Sequence, residues 1–139
     1  MKNKKPFRVY RDKHADLKYL RDKVISLIGY GNQGKAQALN LRDSGLKVLI
    51  GLPKGNPDVK LALKDGFEVC STEEATKRGD IIAILAPDHL HKEIFRKQVM
   101  PNLQPGKTLV FACGFSIHFQ LVVPPDFVDL ILVAPHAPG

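Results

Sequence analysis

An apolar segment, Val24–Ile28, runs directly into three glycines with the spacing Gly-x-Gly-x-x-Gly, at Gly29, Gly31 and Gly34. At this spacing the first glycine allows a tight turn, the second lets the backbone approach a pyrophosphate, and the third lets the next helix pack closely. That helix directs its free N–H groups and the positive end of its dipole toward phosphates. Three glycines alone are a weak signal, since a plain glycine-rich turn also contains them. The strand before them and the helical pattern after them favour a dinucleotide-binding site.

Short apolar segments alternate with helical patterns along the rest of the chain. The predicted strands are 24–28, 47–50, 67–70, 81–85, 108–112 and 130–133, and the predicted helices are 34–43, 59–65, 71–78 and 87–97. Ser71 and Glu74 form a predicted capping box at the third of these helices. The run 81–85 is apolar throughout, which is typical of a central strand buried on both faces. Strands that alternate with helices predict a Rossmann-like, doubly wound α/β fold, with a parallel sheet of about six strands and helices on both faces.

The domain organisation follows from where this alternation begins. Residues 1–22 are polar and irregular, with one short helical turn expected near 15–20, and we interpret them as an N-terminal arm. Residues 23–139 then form a single dinucleotide-binding domain, a length that suffices for a substantial core.

Composition excludes several classes of protein. No run of 18 apolar residues occurs, so we expect no membrane span, and Cys70 and Cys113 lack metal-ligand spacing and are typical of reduced thiols in a cytoplasmic protein. The net charge of +7 invites a nucleic-acid interpretation. The basic residues are spread along the chain without interleaved aromatic residues, however, which favours a solvated basic surface and no nucleic-acid partner.

The loop after the second strand bears on the choice of cofactor. In such folds a carboxylate there accepts a hydrogen bond from the ribose 2′-hydroxyl of NAD, whereas basic residues there hold the 2′-phosphate of NADP. No acid lies about twenty residues past the glycines, where one is expected. Lys54 is able to pair with a 2′-phosphate, or to be an ordinary solvated lysine, and Asp58 would repel that phosphate. The loop leaves both cofactors open.

Five further residues have a functional and a structural interpretation, and for each we expect the structural one. Asp88 follows a strand and is expected to cap the next helix near the cofactor ribose, with His89 and His91 as surface histidines. His118, between two apolar residues, is expected to be a packed structural residue. Cys113 is expected to be a small buried apolar residue rather than a reactive thiol.

Further motifs lie at residues 10–16, 28–34, 38–45, 51–55, 87–88, 101–103, 114–119 and 133–135. Together they resemble the N-terminal domain of ketol-acid reductoisomerases. The resemblance extends from about Tyr10 to Gly139, nearly the whole chain. It implies an oxidoreductase of branched-chain amino acid biosynthesis, which isomerises an acetohydroxy acid with magnesium ions and then reduces the product with NADPH.

The resemblance, together with the strand-end positions above, gives a set of candidate cofactor-binding residues. They are Gly29, Tyr30, Gly31, Asn32, Gln33, Gly34, Lys54, Asp58, Pro87, Asp88 and Gly114. Family members often carry arginine at the position of Pro53 and serines near residues 56–58. Asp58 in place of such a serine would weaken binding of NADP and favour NAD, so the family default of NADPH and the alternative of NADH both stay open.

Two positions depart from the family pattern where its chemistry takes place. Cys113 stands where the family has histidine, and His136 stands where it has lysine. These two residues are the candidates for catalysis, yet a thiol is a weak donor and is largely neutral near pH 7. Imidazole can become a cation but lacks the permanent charge of lysine.

The metal-binding carboxylates of the family lie in a helical C-terminal domain that has no counterpart in these 139 residues. We therefore expect no magnesium site here and no isomerisation by this chain alone. Two alternatives remain: an enzyme part whose helical domain is a separate partner, and a stand-alone NAD(P)-binding paralogue without catalysis. In either case an apolar face would be left exposed where the helical domain docks, which predicts self-association.

Overall fold

A computed structural model describes residues 9–134 of the chain, in which six parallel strands form one sheet. The strands are β1 Val24–Ile28, β2 Lys47–Gly51, β3 Glu68–Cys70, β4 Ile81–Ile84, β5 Thr108–Phe111 and β6 Asp129–Leu132. Their order is β3-β2-β1-β4-β5-β6, and all five pairings are parallel. The direction of winding reverses between β1 and β4, which is where such folds bind their ligands. The predicted Rossmann-like fold is confirmed.

Helices follow the first five strands. They are α1 Asn32–Asp43, α2 Asp58–Lys64, α3 Thr72–Arg78, α4 Asp88–Ile94 and α5 Phe115–His118. A π-turn, Phe95–Val99, and a 3-10 turn, Met100–Asn102, extend α4. Helix α1 begins two residues earlier than expected, and the four-residue α5 was not predicted because one turn has too little periodicity to be seen.

The segment before β1 carries little regular structure in the part that is described. Two 3-10 turns, Asp12–His14 and Leu17–Tyr19, lie in it, and nearly all side chains of residues 9–22 are exposed. The second turn overlaps the helical turn expected near 15–20. The division into an arm and a domain stays a prediction.

The core has two parts, one on each face of the sheet. On the first face lie Ile28, Leu49, Ile82 and Ile84, packed with residues that include Phe95 and Val99 from the extension of α4. On the second lie Ile25, Leu27, Ile50 and Ala83, packed with residues that include Ala38 of α1 and Ala62 of α2. Neighbouring strand residues alternate between the two sets, as the pleat requires. Strand β4 is buried on both faces, which confirms the expectation for this apolar run.

The predicted capping box at α3 is present on its serine side. The Ser71 hydroxyl accepts a hydrogen bond from the backbone N–H of Glu74 at 3.2 Å. This bond satisfies one of the free N–H groups at the helix start and sets the point where the chain leaves β3.

Candidate functional site

A cavity of about 700 Å³ opens at the carboxyl edge of the sheet. Its walls come from the ends of β1, β2, β4 and β5 and from the starts of α1, α2 and α4. They include Gly29, Gly31, Asn32, Gln33, Pro53, Asn56, Asp58, Pro87, Asp88, His91, Ala112 and Cys113. The cavity therefore spans the reversal point of the sheet, the position at which open α/β sheets take up their ligands.

The glycine loop, residues 29–34, owes its shape to the absence of three side chains. Gly29 has φ +112°, and a Cβ there would lie 2.8 Å from the backbone nitrogen of Ala86. A Cβ on Gly34 would overlap the carbonyl oxygen of Gly29. At Gly31 a Cβ would meet nothing within 4 Å, because that position faces the open cavity. Gly29 and Gly34 are thus needed for folding, whereas Gly31 leaves space for a ligand.

Helix α1 begins at this space without a side-chain cap. Gly31 is its N-cap residue, no side chain accepts from the first N–H groups, and the first turn contains no acidic residue. The free N–H groups of the first turn and the helix dipole therefore favour an anion at the loop. Asn32 and Gln33 border the cavity at the same point, so the residues present fit a pyrophosphate.

Tyr30 borders the cavity, but its side chain belongs to the core. It is 2% exposed, and its hydroxyl donates to Oδ2 of Asp65 at 2.9 Å. Burial first, and this bond second, raise the pKa of Tyr30 to about 12. Asp65 also pairs with Lys35 Nζ at 2.9 Å, and its carbonyl accepts from Arg42 Nη1 at 2.6 Å. The hydroxyl of Tyr30 thus joins the glycine loop to α1 and to the end of α2.

The loop after β2 presents an acid to the cavity. Asp58, at the first position of α2, is partly buried and lies in the cavity wall with Asn56 and Pro53. The Asn56 side chain accepts from the backbone N–H of Asp58 at 2.8 Å, which holds this turn in place. Lys54 is exposed and is not among the lining residues. At this wall Asp58 therefore borders the cavity, whereas Lys54 does not.

The start of α4 differs from the expectation. Pro87 is the N-cap residue and Asp88 is the first helical residue, so the prediction that Asp88 caps the helix is wrong. Proline at this position, with its restricted backbone, sets the helix start. The Asp88 carboxylate instead lies beside the N-terminal dipole, and its Oδ1 is 3.8 Å from Nδ1 of His91.

The prediction of two surface histidines holds for His89 and is wrong for His91. His91 is 3% exposed, and its Nδ1 lies 2.9 Å from the Ser116 hydroxyl while its Nε2 lies 2.7 Å from the carbonyl of Ala86. Its ring also meets the ring of Phe111 edge-on at 5.6 Å. The available signal was helical spacing, because His91 precedes the buried Phe95 by four residues on one helical face.

The segment after β5 is more exposed than expected. Cys113 is exposed and borders the cavity, so its assignment as a buried apolar residue is wrong, because β5 ends at Phe111. His118 is also exposed, with its ring edge-on to Phe119 at 4.8 Å, so the expectation of a packed residue is wrong as well. Gly114 is the N-cap residue of α5 and borders a second depression beside β6. His136 lies outside the described residues.

Two findings concern metals and membranes within residues 9–134. No group of three or more histidine, cysteine, aspartate or glutamate side chains is arranged to hold a metal ion. The donor set in this part of the chain does not fit a magnesium site. In the same range, no helix has the length and apolar character that crossing a lipid bilayer requires.

Comparison with known proteins finds sequences that are similar to this chain. The model of the acetohydroxy acid isomeroreductase NADPH-binding domain matches residues 19–139. A ketol-acid reductoisomerase (NADP(+)) of Petrotoga mobilis is 52% identical over 130 residues, covering 94% of this chain and 39% of the relative. The corresponding protein of Pyrococcus abyssi is 48% identical over 135 residues, covering 97% and 41%. The chain thus spans about two fifths of the length of these relatives.

Solved structures agree with these matches. An NADH-preferring ketol-acid reductoisomerase from an uncultured archean superposes with a TM-score of 0.89 at 45% identity, covering 96% of this chain and 42% of the other. A semialdehyde dehydrogenase NAD-binding protein from Cupriavidus necator reaches a TM-score of 0.73 at 24% identity, covering 84% and 42%. The second likeness, at that identity, concerns the fold alone.

Proposed function

The chain belongs to the ketol-acid (acetohydroxy acid) reductoisomerase family, within its NADPH-binding domain, and from this we propose that it binds a nicotinamide dinucleotide in the cavity at the carboxyl edge of the sheet. The observation that carries the proposal is the space at Gly31. A Cβ there would meet no protein atom within 4 Å, at the uncapped start of α1. A pyrophosphate placed there accepts hydrogen bonds from backbone N–H groups and is favoured by the helix dipole.

We propose a place in the cavity for each part of the cofactor. The glycine loop would hold the pyrophosphate, with Asn32 and Gln33 beside it, and the loop that ends at Asp58 would hold the adenosine. The ends of β4 and β5, with Pro87 and Cys113, would face the nicotinamide. This orientation follows the rule for doubly wound folds, in which the second strand meets the adenine ribose.

For the cofactor we propose that NADH binds at least as tightly as NADPH. Asp58 lies in the wall where the adenine ribose would lie, whereas Lys54 is exposed outside it. A carboxylate accepts a hydrogen bond from a 2′-hydroxyl and repels a 2′-phosphate. A 45% identical relative is described as NADH-preferring, although curated relatives are named for NADP(+).

When bound, the reduced nicotinamide supplies a hydride to a carbonyl substrate. The described residues would bind and orient the cofactor, and Cys113, at the catalytic position of the family, offers only a weak hydrogen-bond donor. We propose that the chain alone does not isomerise acetohydroxy acids, because its described side chains do not fit a magnesium site. When the purified chain is mixed with 2-acetolactate, magnesium and NADPH, the absorbance of NADPH should not change.

The partner we propose is a helical domain that covers the β6 surface. We use this name for Phe115, Phe119, Leu130, Ile131, Leu132 and Val133, which are all at least 43% exposed. An apolar patch of this kind marks an interaction site. Relatives contain more chain than this one spans, and without that cover we expect a second copy to associate. Free thiols at Cys70 and Cys113 support a cytoplasmic location.

Calorimetric titration of the purified chain with NADH and with NADPH tests the proposal. We expect saturable binding of both, with NADH at least as tight. The Gly31→Ala variant should fold, since its Cβ meets no protein atom, and should bind at least about tenfold more weakly because the methyl group occupies the phosphate space. Absence of binding by the unaltered chain, or unchanged binding by Gly31→Ala, would contradict the proposed site.

A further inference from the structure

We propose that His91 is a positioning residue for the nicotinamide end of the cavity, an inference that rests on the proposed cofactor site. Its imidazole joins the segment that follows β4 to the segment that follows β5. These are the two backbone segments between which the nicotinamide would lie.

The tautomer of His91 follows from its partners. The carbonyl of Ala86 can only accept, so Nε2 carries the proton and donates to it at 2.7 Å. In the neutral ring Nδ1 is then the acceptor, and the Ser116 hydroxyl donates to it at 2.9 Å. Ala86 lies in the loop after β4 and Ser116 lies in α5, and the ring that connects them is 3% exposed. A single side chain therefore restrains two segments that share no ladder hydrogen bonds there.

The bond to Ala86 ends at the cavity wall, and the bond to Ser116 ends three residues along the chain from it. Ala86 lies against the glycine loop, since its nitrogen is the closest atom to a Cβ built on Gly29. Ser116 is fully buried in α5, and its carbonyl accepts from Val122 N at 3.1 Å, so it is itself fixed. Cys113 lies three residues before Ser116 and borders the cavity. Restraint at Ser116 therefore reaches the segment at which the family places a catalytic side chain.

A purely structural histidine is the competing explanation, because buried polar groups in cores are generally hydrogen-bonded. The two explanations predict different effects when the hydrogen bonds of His91 are removed. Loss of a core hydrogen bond lowers stability and affects every ligand of the fold equally. Loss of a positioning bond moves the nicotinamide end and leaves the phosphate and adenosine end as it was.

The experiment compares NADH with ADP-ribose, which lacks the nicotinamide. His91→Phe keeps an aromatic ring beside Phe111 but removes both polar contacts, and His91→Gln keeps one donor and one acceptor. We expect His91→Phe to weaken NADH about tenfold and to leave ADP-ribose within about twofold. His91→Gln should bind both ligands within about threefold of the unaltered chain.

Two further measurements keep the inference testable if His91→Phe folds poorly or no cofactor binds. Ser116→Ala removes the same bond from the other side, and should weaken NADH selectively in the same direction. In the ligand-free chain, backbone amide chemical shifts should move at Cys113 and Gly114 in either variant, and stay unchanged at Gly31 and Asn32.

The outcomes separate this inference from the proposed function. Equal weakening of NADH and ADP-ribose, no weakening of either, or unchanged shifts at Cys113 and Gly114 would overturn the positioning role. Failure of the unaltered chain to bind NADH would overturn the proposed function, while the chemical shifts would still decide the role of His91 in the loops.

Discussion

The two ends of the cavity are built in different ways. At the glycine-loop end, backbone packs on backbone: Gly34 lies against the carbonyl of Gly29, and Tyr30 is 2% exposed beneath them. At the other end the wall consists of loop segments that expose Cys113, and all four residues of β6 beyond it are exposed. The first end is formed mainly by backbone at the end of β1 and the start of α1, with the segment after β4 packed against Gly29.

This difference indicates that the nicotinamide end depends more on contacts from other parts of the structure than the glycine-loop end does. A site formed by local backbone needs few other residues, because adjacent strands and one helix fix its shape. A site formed by loops needs restraints from elsewhere, and the ones we propose are His91 within the chain and a partner that covers the β6 surface. We therefore expect phosphate binding to survive changes that disturb the nicotinamide end.

The largest effect is expected from the glycines, compared as a matched pair. Gly34→Ala should lower the free energy of unfolding by about 3 kcal/mol, because its Cβ overlaps a backbone oxygen that cannot move away cheaply. Gly31→Ala should change it by less than about 0.5 kcal/mol. Urea denaturation of both variants measures the difference. Equal destabilisation would mean that the loop is not divided into folding and binding positions.

The next effect concerns the tyrosine under the loop. The pKa of Tyr30 is raised to about 12, so its folded form holds the proton more tightly than the unfolded chain does. The stability from this group is therefore complete below about pH 10 and is lost as pH rises from about 10 to 12, a change of about 2 kcal/mol. Tyr30→Phe should lose this part of the alkaline decline.

Thermal or urea unfolding across this pH range tests the sign, with Tyr19→Phe as the control because Tyr19 is 70% exposed. Near neutral pH, Tyr30→Phe should cost about 1 kcal/mol for the hydrogen bond to Asp65. An alkaline decline that is the same in Tyr30→Phe and in the unaltered chain would show that the decline has another source.

A smaller effect separates the cofactors at the adenosine wall. Asp58→Ser removes the negative charge and should shift the ratio of NADPH to NADH affinity about tenfold toward NADPH, close to 1.4 kcal/mol. Lys54→Ala is the matched comparison and should change the ratio less, because Lys54 lies outside the wall. The reverse order of effects, measured by calorimetry, would place the 2′ position at Lys54 instead.

The smallest effect on stability is expected on the β6 surface. Leu132→Lys should alter the free energy of unfolding by less than about 0.5 kcal/mol, since Leu132 is 57% exposed. It should nevertheless shift the chain toward monomer in sedimentation at rising concentration. Leu63→Lys, at a leucine of similar exposure on α2, is the control and should leave association unchanged. A chain that is monomeric throughout would remove the basis for self-association.

Periodicity was sufficient for most of the fold. Strands β1, β2, β4 and β5 contain buried apolar side chains, so segments such as Ile81–Ile84 could be recognised from the sequence alone. Helix α5 was missed, since a single turn has no measurable period. The exposure of Cys113 was missed because it depends on β5 ending at Phe111, a boundary that an apolar run does not define.

Some residues of the candidate site could also be assigned from the sequence, and others could not. Residues adjacent in sequence, such as the glycines of the loop, could be assigned a task from their spacing alone. His91 could not, because its partners Ala86 and Ser116 belong to different segments, and Ser116 lies 25 residues away along the chain. Nor could the roles of Lys54 and Asp58 be separated, because four residues of a loop can turn either one toward the cavity.

The sequence by itself determined the alternating α/β architecture, the glycine loop and the family, because each can be identified from local spacing and from motifs of adjacent residues. The tertiary structure alone decided that Asp58 rather than Lys54 borders the cavity, that Cys113 is exposed, and that His91 is hydrogen-bonded to both Ala86 and Ser116. The physical reason is that burial and hydrogen-bond partners depend on segments distant in sequence, and these meet only when the sheet has formed.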